Sequence, residues 1–115
     1  MIKIDFKYDM KAREFSLTVN GHAGQAEIGQ DIVCASASIL AYTLAQVILK
    51  KHLIGFLEDA PSIILGGGDA TVSCKAREGC ECDIGECFSV IETGYMLLAH
   101  NYPQFVELIT DGEAE

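Results

Sequence analysis

The chain has 115 residues, half of them apolar, and a formal charge of −9 from 8 basic and 17 acidic side chains. That length fits one domain, 1–115, with a single core of modest size. The acidic balance and the lack of a basic face argue against a nucleic-acid partner and favour basic ones.

Ile2, Ile4 and Phe6 alternate with Lys3, Asp5 and Lys7, which predicts a half-buried strand. Tyr8 to Arg13 reads as a turn. Phe15, Leu17 and Val19 alternate with Ser16, Thr18 and Asn20, a returning strand that closes a hairpin. Residues 21–30 carry three glycines and few large apolar groups, so a loop is expected. A helix is predicted from about Asp31 to Lys51, with Asp31 as N-cap and Lys50 and Lys51 suiting the C-terminal end of the dipole. Ile32, Val33, Ile39, Leu40, Leu44, Val47, Ile48 and Leu49 make it apolar on most sides. One sheet face cannot cover so wide a surface, so a second partner is implied.

Leu57 to Leu65 reads as a strand, with Pro61 marking a bulge or an edge. Gly66 to Asp69 is a turn and Ala70 to Lys75 the returning strand. A phosphate loop is a poor fit to the glycines, because the lysine and Ser/Thr it needs are missing. A second helix is predicted from about Gly85 to Asn101, ended by Pro103, with a last strand around Phe105 to Ile109. The acidic tail from Asp111 is expected to fray. The order β-β-α-β-β-α-β describes an α+β domain, a mostly antiparallel sheet with two helices packed on it. No apolar stretch of about 18 residues is free of polar interruption, so no membrane partner is expected. The N-terminus alternates apolar and charged residues, unlike a signal peptide, and a cytoplasmic location follows as the default.

Chemistry concentrates between Gly21 and Ser38. His22 follows a strand, a glycine-bearing loop comes next, and Cys34 lies one turn inside the predicted helix. A thiol attacks well only as thiolate. Unpaired N–H groups of a first helical turn and a nearby imidazolium both favour that form. The same N–H groups suit an oxyanion hole. Asp31 shares a helix face with Cys34 and opposes the thiolate unless it accepts from backbone N–H groups or orients His22. Ser38 lies one turn beyond on the same face. A buried structural cysteine in an apolar helix is equally consistent with this composition and spacing.

The run Gly21-His22-Ala23, then Gly29, then Asp31-Ile32-Val33-Cys34-Ala35, then Ser38, resembles the signature of the ribosomal-processing cysteine protease family, Prp. Gly94 to Pro103 is similar to that family's second helix, which ends in a Tyr-Pro pair. The resemblance implies a homodimeric cytoplasmic thiol protease without a cofactor. It further implies removal of a short N-terminal extension from a large-subunit ribosomal protein precursor, or a related precursor such as a phage structural protein. By the same resemblance Cys34 is the nucleophile, His22 the general base, and Asp31 and Ser38 the supporting residues. Gly21, Ala23, Gly24 and Gly29 belong to the substrate loop, with residues 23–30 closing over the peptide.

Cys74, Cys80, Cys82 and Cys87 stand outside that signature. Their number suits a zinc site, but their spacing does not form paired knuckles, and thiols around a loop are the leading expectation. A disulfide is disfavoured in a reducing compartment. The alternative function is a non-catalytic peptide-binding module with a thiol or zinc site.

Overall fold

Ile2, Ile4, Phe6 and Tyr8 are buried while Lys3, Lys7 and Asp9 are exposed. This alternation forms β1, Ile2–Asp9. A computed structural model describes residues 1–21, 28–66 and 69–112, with side chains at 1–21, 32–66 and 69–110. β1 runs beyond the expected turn at Tyr8, because Tyr8 still has partners. Its ring stacks on Phe6 at 6.1 Å, and its hydroxyl donates to Glu92 Oε1 at 2.6 Å. The turn closes over Met10 to Arg13, with the Ala12 N–H donating to Asp9 Oδ1 at 3.0 Å. β2, Glu14–Asn20, returns antiparallel with Phe6 opposite Leu17.

The long helix α1 is Ile28–Leu53. It starts three residues before the expected boundary, so Asp31 is a fourth helical residue and not the N-cap. Gly29 costs a helix only about 1 kcal/mol against alanine, and the long apolar run that follows carries it. β3 is Ser62–Gly66 and β4 is Asp69–Lys75. The strand expected from Leu57 is split, because Pro61 lacks an N–H for the ladder. Leu57 makes an isolated bridge to Ala76 instead.

α2, Glu81–Asn101, begins four residues before Gly85, with Cys80 at the N-cap position. Glu81 and Asp83 in its first turn suit the positive end of the helix dipole. β5 is Val106–Gly112. The sheet order is β3-β4-β2-β1-β5. Only the β1–β5 pairing is parallel, which the α2 crossover makes possible. One sheet face carries Phe6, Leu17 and Val72 into the core. The other carries Lys3, Lys7, Ser16 and Ser73, as expected of a sheet solvated on one side.

The helices pack closely. The buried Tyr95 hydroxyl donates to the Ala37 carbonyl at 2.7 Å. A Cβ on Gly94 would stand 2.7 Å from Leu40 Cδ2, so the missing side chain permits that approach. α1 commits Val33, Ala37, Ala41, Leu44, Ala45 and Ile48 to the core. Residues Ile32–Leu53 are nonetheless long and apolar enough by composition to cross a bilayer, contrary to the expectation that polar residues interrupt every such stretch. Ile32, Ala35, Ile39, Tyr42, Gln46, Leu49 and Leu53 are exposed. They recur at alternating steps of three and four, the spacing of a coiled-coil seam.

Tyr95→Phe removes the hydroxyl that ties α2 to α1 while preserving the ring. It should cost about 1 kcal/mol of stability, read as a lower urea midpoint at unchanged slope. An unchanged midpoint would remove this hydrogen bond from the account.

Candidate active site

α1 turns one wall toward the ends of β1, β2 and β4. Cys34, Ala37, Ser38, Ala41 and Tyr42 fall at the spacing of a single helix face. All five line a groove of about 390 Å³. Ile2 and Val19 contribute from the open end of the first hairpin, and Gly66, Asp69 and Ala70 from the second. Cys34 is half-buried and Ser38 exposed. The groove therefore offers a thiol, two hydroxyls (Ser38 and Tyr42), a mostly apolar lining and one carboxylate. Such a cleft suits a peptide side chain held beside a sulfur nucleophile.

Gly21 also lines the groove. It has φ +88, and a Cβ there would meet the Met1 carbonyl oxygen at 2.6 Å. Only glycine combines that conformation with that approach. His22, Ala23 and Gly24 lie outside the described residues, as does most of the 23–30 loop. Residues Ile28 to Gln30 are already helical, which shortens the expected loop, and Gly29 sits in the first turn of α1. The Asp31 side chain is also outside the described residues.

The early start of α1 changes the electrostatics expected at Cys34. Cys34 is the seventh helical residue, counted from Ile28. The unpaired N–H groups of a helix belong to its first four residues, and the dipole's influence fades beyond the first turn. Backbone N–H groups around Cys34 are spent within the helix. Oxyanion donors from that first turn are therefore not adjacent to Cys34.

The other cysteines sit elsewhere. Cys74 is on β4 and Cys87 on α2, both packed against the core. Burial, reinforced by Cys87, pushes the Cys74 thiol up to about 12. Burial also raises the Cys87 thiol, against the opposing pull of Lys51. Lys51 Nζ pairs with Asp83 at 2.7 Å, and that contact raises the lysine above its ordinary value. Cys82 is exposed. Among the described residues no three His, Cys, Asp or Glu side chains converge as a metal site. The zinc grouping of Cys74, Cys80, Cys82 and Cys87 is thus not assembled. Two are held by a strand and a helix that fix their directions, while Cys82 points outward.

Sequence reasoning did not find Tyr42, Asp69, Ile2 or Val19. Tyr42 was legible as two turns beyond Cys34 on the same face. Asp69 was not, because only the Val19–Ala70 register brings it to the end of β2.

The model of the family described as cysteine protease Prp matches residues 1–107. The chain belongs to that family. It is a cysteine protease by that membership. The solved structures agree on the fold. An essential ribosomal processing protease Prp from S. aureus, in complex with a covalently linked product peptide, is 21% identical with a TM-score of 0.69, covering 96% of this chain and 99% of that one. The same enzyme in complex with a substrate peptide is 20% identical with a TM-score of 0.70, over 96% of this chain and 99% of that one. SMU.848 from Streptococcus mutans is 24% identical with a TM-score of 0.71, covering 98% and 96% respectively. No curated protein matches the chain.

The thiol environments predict an order of reactivity. At pH 8 only on the order of one Cys74 side chain in ten thousand is thiolate, given its raised value. Iodoacetamide on the native protein should therefore modify Cys82 well before Cys74, as read by peptide mass mapping. Equal rates would contradict the burial of Cys74.

Proposed function

We propose that the chain is an endopeptidase that removes a short N-terminal extension from a large-subunit ribosomal protein precursor. A related precursor, such as a phage structural protein, would suit the same chemistry. The observation that carries the reading is a half-buried cysteine lining a groove of about 390 Å³, in a chain of the Prp family. The S. aureus proteins of the same fold are described as ribosomal processing proteases bound to peptides. A charge of −9 favours encounter with a basic substrate.

In this reading His22 takes the proton from Cys34, and the thiolate attacks the scissile carbonyl carbon. The tetrahedral intermediate collapses to a thioester as His22 returns the proton to the leaving amine. His22 then takes a proton from water, the hydroxide attacks the thioester, and Cys34 recovers its proton as the extension leaves. Asp31 and Ser38 are the proposed supporting residues, Ser38 as a hydrogen-bond partner for the bound peptide. The proposed compartment is the cytoplasm, where thiols stay reduced.

Cys34→Ala should abolish cleavage of a precursor bearing the extension while leaving the thermal midpoint nearly unchanged. His22→Ala should lower turnover by about two to four orders of magnitude. Intact-mass analysis of the precursor over time measures both. Near-parental turnover in either variant would overturn the assigned roles.

The proposed assembly is a symmetric homodimer joined through the outer seam of α1. Ile32, Ile39, Leu49 and Leu53 are exposed there, and burying them across a two-fold axis repeats the same contacts on both chains. The expected interface is on the order of 1,600 Å² in total. Light scattering at micromolar concentration should give twice the chain mass, and Ile39→Glu should give a folded monomer. A parental chain that is monomeric under those conditions contradicts the seam as an interface.

A further inference from the structure

The backbone just before His22 is held at one residue. β2 ends at Asn20, and Gly21 follows in a left-handed conformation against the Met1 carbonyl. The Gly21 N–H donates to Asp69 Oδ1 at 3.3 Å. The strand register explains how so distant a residue arrives there. Val19 pairs with Ala70, so the preceding Asp69 stands beside the end of β2. Gly21, Asp69 and Cys34 line one groove. Asp69 is exposed, so the core does not need it for packing. It is also the only charged side chain among the described residues of the groove lining.

We propose that Asp69 is a positioning residue for peptide cleavage: its carboxylate holds the Gly21 amide and so fixes the backbone from which His22 follows, in the groove that Cys34 lines. This deepens the Cys34–His22 reading above and rests on it. Asp69 touches no reacting atom in this account. Its role requires an acceptor oxygen within reach of one N–H. An asparagine supplies such an oxygen; an alanine does not.

The test is the pH dependence of Cys34 alkylation by iodoacetamide in the full chain, together with cleavage kinetics on the extended precursor. A nearby imidazolium lets a thiolate react below the ordinary thiol range, so the parental profile should carry an acidic limb. His22→Ala should erase it and serves as the reference. Asp69→Ala should weaken the same limb and lower kcat by about tenfold or more, with KM within about threefold. Asp69→Asn should recover most of both losses. If Asp69→Ala melts early, Asp69→Leu, closer in shape to aspartate, takes its place with the same expectation. A parental limb and kcat in the alanine or leucine variant, where His22→Ala has its effect, overturns the proposal. So does an asparagine variant as impaired as alanine, which would assign Asp69 to a charge contact with substrate. A profile that His22→Ala leaves unchanged refutes the thiol–imidazole pair, and the role of Asp69 falls with it.

Discussion

One buried hydrogen bond, from Tyr95 on α2 to the Ala37 carbonyl on α1 at 2.7 Å, sits at the point on which the groove depends. Burial raises the Tyr95 phenol above its ordinary value, so the hydroxyl stays protonated as a donor. The same ring meets Phe6 edge-on at 5.9 Å, so one side chain joins α1, α2 and β1. Gly94 beside it lets Leu40 approach without a Cβ between them. Ala37 lies one turn beyond Cys34, and both line the groove. The thiol's position above the ends of β1 and β2 is therefore set by core packing. Such rigid support is what the proposed role of Cys34 as nucleophile requires.

The near-uniform apolarity of α1 resolves into three faces with different tasks. Val33, Ala37, Leu44 and Ile48 are buried against the sheet and α2. Cys34 and Ser38 face the groove, which Tyr42 also lines from its place on the outer seam. Ile32, Ile39, Leu49 and Leu53 remain exposed. A helix serving a core, a cleft and an outer seam has few positions left for charge, and so looks like a membrane span by composition. The second hairpin has a matching division of labour. Val72 fills the core, while Gly66 and Asp69 line the groove.

The alternating strands were legible because burial on a single sheet face imposes a period of two. The element order followed from the strand alternation, the helical spacing in α2, and in α1 a long apolar run with two lysines at its end. Boundaries moved where side-chain contacts outweighed local signals. Tyr8 stays in β1 because Glu92 waits for its hydroxyl, and α2 starts at Glu81 although Cys80 and Cys82 resemble loop residues. Cys34 and Ser38 both line the groove, and their sharing of one helix face was legible from their spacing. The supposed N-cap at Asp31 was not, since Gly29 and Gln30 look like loop yet are helical. Asp69 was invisible because its relation to Gly21 is created by strand pairing across 48 positions.

The central claim is that the groove at Cys34 is where peptide chemistry occurs. A peptidyl chloromethyl ketone built on the residues preceding a cleavage site tests it directly, because the ketone must bind as substrate before it alkylates. Peptide mapping by mass spectrometry should find one adduct per chain, on Cys34, with protection by excess uncleaved peptide. An adduct confined to Cys82, or labelling of Cys34 that competing peptide does not slow, would contradict the account.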